Sequence, residues 1–121
     1  MFDAVKDLER KVSTQKIRLK DAIDEKTVAL SVLEYRRVAH GQAVQKEKEY
    51  ARRKNSYTGG DVLVKAHAEW EQANKDRQQA QEALESADKI LRAVSGKVMK
   101  IEAELLELKN ALVKARLPTK S

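Results

Sequence analysis

The chain has 121 residues, of which 36% are charged, with a net charge of +6 and only one Phe, one Trp and three Tyr. That composition leaves too little apolar material for an ordinary globular core. It contains no cysteine, which excludes disulfides, thiolate metal sites and a cysteine nucleophile. No apolar run approaches the roughly 18 residues a membrane-crossing helix needs, and the opening MFDAVKDLERK lacks the apolar centre of a signal peptide, so a soluble, cytoplasmic chain is expected.

The first half reads as one long helix over about 2–55. Val5, Leu8, Val12, Leu19, Ala22, Ala29, Leu33, Ala43 and Tyr50 recur at alternating steps of three and four, interrupted by Gln15, Lys26, Arg36, His40 and Glu47. The spacing is that of a coiled-coil seam, in which each helix turns one apolar stripe toward a partner. Glycine and proline, which would end such a helix, are scarce: four Gly and a single Pro, Pro118.

The stretch RRKNSYTGGDVL, residues 52–63, breaks the pattern and predicts a turn at 56–60. Asn55, Gly59 and Gly60 suit the left-handed conformation of a helix exit, and Asp61 suits the N-cap of a second helix. Neither the GxxxxGK[ST] nor the GxGxxG spacing of a nucleotide loop is present.

The second half, about 61–116, carries the stricter seam, followed by a short tail at 117–121. Leu63, Trp70, Arg77, Leu84, Leu91, Val98, Leu105 and Leu112 hold one heptad position, and Ala66, Ala73, Ala80, Ala87, Val94, Ile101 and Leu108 hold its companion. Folded back about Thr58-Gly59-Gly60, facing residue numbers add to a constant: Val5 meets Leu112, Val12 meets Leu105, Leu19 meets Val98 and Leu33 meets Leu84. The fold class expected is therefore all-α, one antiparallel two-helix coiled-coil hairpin spanning 1–121. The same register sets His40 opposite Arg77 and Glu47 opposite Trp70.

Two surfaces remain after the seam is assigned. Near the bend, residues 36–65 hold eight Lys or Arg against three Asp or Glu. Lys46, Lys48, Arg52, Arg53, Lys54 and Lys65 cluster around Tyr57 as a basic tip suited to an acidic protein, to nucleic-acid phosphates or to anionic lipid headgroups. Toward the termini, Met99, Leu106, Val113 and Leu117 form a second stripe, and Ile17 and Val28 also lie off the seam. These six form an expected base interface with another helix, through which the hairpin would join a larger bundle.

No catalytic motif is found. His40 and His67 are too far apart along the hairpin to share a metal, HExxH, GxSxG and a paired-carboxylate pocket are absent, and no cofactor or small-molecule substrate is expected. The reading that requires only these features is a non-enzymatic structural or adaptor protein, docking by its base and showing its tip to an acidic partner. By architecture the hairpin also resembles the stalk proteins of export machines and the helical arm of seryl-tRNA synthetases, the second implying nucleic-acid binding. The segment EYARRKNSYTGGDVLVKAHAEW, residues 49–70, is similar to the tip region of BAR domains, which implies a membrane-surface-binding module and a dimeric base.

Overall fold

A computed structural model describes residues 2–117, with side chains from Asp3 onward. The expected tail at 117–121 lies outside the described residues except for Leu117. Two helices, α1 (Phe2–Ser56) and α2 (Gly60–Arg116), pack against each other as an all-α hairpin. Every seam position named above on α2 is buried or half-buried, and on α1 only Arg36 is exposed. The alternation of three- and four-residue steps thus places both stripes on the shared face.

The turn differs in detail from the sequence expectation. Helix α1 continues through Asn55 to Ser56, whose Oγ donates to the Arg53 carbonyl at 2.7 Å, and the Tyr57 amide reaches the Lys54 carbonyl at 3.4 Å. Among the described residues only Gly60 has a positive φ, 82°, a conformation in which a side chain would be strained. Because α2 already begins at Gly60, Asp61 sits in its first turn, where its carboxylate still faces the positive helix end.

Packing divides the chain into two compact units, Met1–Ala29 with Leu91–Ser121 and Leu30–Ile90. In the first, here the termini unit, Val12, Leu105 and Leu112 are buried together and Val5, Leu8, Leu19 and Leu108 close around them. A second cluster joins Ala22, Val98 and Ile101, again against Leu19. Burying each Leu, Val or Ile here stabilises by about 1.5–3 kcal/mol relative to exposure. Gln15, an interruption of the seam by sequence, is 5% exposed. Its Nε2 donates to the Ile101 carbonyl at 3.4 Å and to Glu104 Oε2 at 2.8 Å, while Arg18 donates to its Oε1 at 3.2 Å. Both ends of the amide are satisfied, so the polar layer is tolerated. Lys97 with Glu25, at 3.2 Å, and Arg116 with Glu9, at 2.7 Å, pair across the rim.

The bend unit buries Leu33, Ala66, Ala73 and Ala87. With one exception these are alanines, which bring the two backbones close while removing little apolar area from water. Charged and aromatic side chains fill the space beside them. Glu47 Oε2 lies 2.9 Å from Arg77 Nε, and both side chains are less than a third exposed. That Nε is buried and makes no aligned hydrogen bond, so the contact is an ion pair by proximity; the guanidinium's outer nitrogens donate instead to Asn74 and Gln81.

This pair corrects the expected register. Glu47 meets Arg77 rather than Trp70, and Trp70 receives Lys54. Side chains on a helix lean toward its N-terminus. In an antiparallel pair both leans carry the contact toward higher-numbered partners, so long side chains meet a heptad later than facing Cα positions suggest. His40, expected opposite Arg77, is half-buried.

Candidate docking surfaces

The basic tip is built by the end of α1 and the start of α2 within the bend unit, and its cations fall into two groups. Lys54 is half-buried with its Nζ 4.1 Å from the centre of the Trp70 ring. Arg53 pairs with Glu49 at 2.9 Å and lies over Tyr50, which Lys46 also approaches at 5.9 Å. These three are held by π faces or by a carboxylate one turn away. Among the described residues Lys48, Arg52 and Lys65 make no ion pair or side-chain hydrogen bond, and all three are exposed. Lys48 and Arg52, four apart, share one face of α1.

Tyr57, the aromatic expected at the tip, lines a shallow groove with Arg53, Val62, Lys65, Ala66 and Glu69. Val62 is exposed there, and Val64 is exposed on another side of α2. The tip therefore presents apolar as well as basic groups, the valines adding to the aromatic and cations expected from sequence. On the neighbouring turn the His67 ring lies tilted against Trp70, with centres 5.8 Å apart, and its Nε2 is 2.9 Å from Glu71 Oε1.

The expected base residues are all exposed, from 58% at Val113 to 69% at Met99. They do not form one surface. At about 100° per residue, Ile17 and Val28 lie on the side of α1 turned away from α2, while Met99, Leu106, Val113 and Leu117 lie on the side of α2 turned away from α1. The α1 face is broken at the intervening heptad positions by Asp21 and Asp24. The α2 face carries no charge and one polar residue, Asn110: Gly96, Met99, Ala103, Leu106, Asn110, Val113 and Leu117 follow one another at alternating steps of three and four. That is a second coiled-coil seam, roughly opposite the one that binds α1.

Among the described residues no three His, Cys, Asp or Glu side chains gather as metal ligands, and no helix is long and apolar enough to cross a membrane. Comparison of the chain with protein-family models, with curated proteins and with solved structures finds no match.

Proposed function

We propose that this chain is a non-enzymatic structural or adaptor hairpin that docks through the outer heptad of α2 and offers its basic tip to an acidic partner. The observation that carries the reading is the exposed run from Met99 to Leu117. An apolar stripe repeated at heptad spacing on a helix whose other face is already packed is the sequence form of a helix–helix interface. The termini unit needs no such stripe for its own core, which is closed by Val12, Leu105 and Leu112.

Leu106→Glu tests the docking role. Leu106 lies off the inner seam, so the variant keeps the parent's helicity and loses self-association or partner binding in sedimentation. Unchanged association would end the reading.

Polyanion binding by the tip is the second reading, favoured by the exposed, unpaired Lys48, Arg52 and Lys65. Nucleic acid and anionic vesicles are its alternative ligands, and each would bind with a steep loss of affinity as salt rises.

A further inference from the structure

We infer that the occupant of the outer α2 heptad is a second copy of this chain, laid antiparallel so that Ala103 of each copy faces Leu106 of the other. The inference rests on the reading of that heptad as a docking surface and specifies its partner and register.

Three observations point to it. Lys100, Glu102, Glu107 and Lys109 flank the outer heptad, and among the described residues none of them makes an ion pair or hydrogen bond. Three of them have nothing of opposite charge within the helix to pair with: three and four residues from Glu102, Glu107 and Lys109 stand only apolar residues, Asn110 and Glu104. Lys100 has Glu104 at that spacing, but Glu104 accepts from Gln15.

Their order along the helix selects the alignment. In a parallel, in-register pair each position before a seam residue meets one five residues on, which sets Glu102 against Glu107 and Lys109 against Lys114. Both contacts are between like charges. In the antiparallel alignment with Ala103 on Leu106, Lys100 meets Glu107 of the second copy and Glu102 meets Lys109. The two-fold axis repeats both pairs. Moving that alignment by one heptad opposes Glu107 and Lys109 each to itself in one direction, and Lys100 and Glu102 each to itself in the other. A parallel pair staggered by one heptad also matches charges but leaves an open face at each end, and so builds a chain of copies rather than a closed dimer.

The seam residues complement one another in the same register. Ala103 receives Leu106, Gly96 receives Val113, and the flexible Met99 lies over Asn110. Gly96 stands in mid-helix, where glycine is destabilising, and a Cβ built on it would touch nothing within 4 Å in its own chain. Packing inside the hairpin does not ask for glycine there. Close approach by the second copy does.

The test uses the full chain in sedimentation equilibrium. The parent forms dimers; Glu107→Lys weakens them at least about tenfold, because the two-fold axis makes each substitution act twice. Adding Lys100→Glu to it exchanges the charges and returns affinity to within about threefold of the parent. Since the chain has no cysteine, Ala103→Cys mixed with Leu106→Cys gives more interchain disulfide than either variant alone. A parent that stays monomeric to about 1 mM overturns the second copy as occupant; the docking reading then depends on whether Leu106→Glu loses a partner that the parent retains. A dimer that the charge exchange does not restore, or in which each Cys variant cross-links best with itself, overturns the antiparallel register and leaves docking intact. Assemblies that keep growing with concentration overturn the closed pair in favour of the staggered one.

Discussion

In the termini unit the buried seam is Val12, Val98, Ile101, Leu105 and Leu112 with Ala22 and Ala29, and Gln15 fully bonded among them; in the bend unit it is Leu33 with Ala66, Ala73 and Ala87. Both follow the same alternation of three and four residues. The first removes large apolar side chains from water, whereas the second brings backbones together and draws on the Glu47–Arg77 pair and the Lys54–Trp70 contact to fill the gaps. Heptad spacing therefore specifies which residues face the partner helix, while side-chain volume specifies how strongly each region is held. The bend unit, with less area buried per layer, is the region expected to exchange its amides first.

The largest effect should come from Leu105→Glu. Leu105 is 6% exposed and central to the Val12 cluster, so a carboxylate there is desolvated among apolar side chains. Loss of more than about 4 kcal/mol is expected, seen as collapse of the helical circular-dichroism signal. Equal behaviour of Leu105→Glu and Leu106→Glu would mean that the inner and outer faces of α2 are wrongly assigned.

Truncating one layer in each unit sharpens the contrast. Leu112→Ala should destabilise by about 2–4 kcal/mol by emptying part of the Leu105 cluster, and Ala73→Gly in the bend unit by about 1 kcal/mol, mostly through helix propensity. Denaturant melts of the two variants decide the matter. A bend variant that costs as much as the termini variant would show that alanine layers contribute through more than area.

Removing half of the ion pair comes next. Arg77→Ala leaves Glu47 in a site where its side chain is 21% exposed, and a loss of about 1–3 kcal/mol is expected from the unpaired, partly desolvated carboxylate. Replacing both residues by apolar ones of similar length, Arg77→Met with Glu47→Leu, should recover most of it. Failure to recover would show that the outer bonds of Arg77 to Asn74 and Gln81 hold the bend unit, and that the pair itself does not.

Much of the hairpin was legible because the seam repeats for most of the chain. Seam membership followed from spacing alone, and so did the place of the turn to within a residue or two. Gln15 read as a defect because its partners, Ile101 and Glu104, are more than eighty residues away in sequence. The Glu47–Arg77 pairing escaped a register drawn between Cα positions, since side chains lean along their helices and long ones reach past the nearest layer. Among the tip cations, sequence showed the charge but not its use: Lys54 turns inward onto a ring that approaches only when the hairpin closes. The off-seam residues of both helices are legible as apolar and outward, but that the α1 and α2 faces point to different sides follows only once the two helices are packed.

The smallest change in stability, and the sharpest division within the tip, is expected from neutralising its cations in two groups. Lys48→Gln, Arg52→Gln and Lys65→Gln together remove side chains that are exposed and make no ion pair among the described residues, so the melting temperature should stay within about a degree or two, as for surface substitutions of a few tenths of a kcal/mol. If the tip grips phosphates, the same variant loses affinity for duplex DNA, RNA or anionic vesicles, and the slope of log affinity against log salt flattens by up to about three, near one per contact. An acidic protein partner would show mainly a slower and less salt-sensitive association rate. Arg53→Gln with Lys54→Gln should do the reverse, destabilising the bend unit by about 1 kcal/mol through the lost Trp70 and Tyr50 contacts while lowering polyanion affinity less, because those charges are already engaged within the chain. Equal loss of affinity in both variants would mean that Arg53 and Lys54 leave their rings on binding, and that the tip acts as one pool of charge.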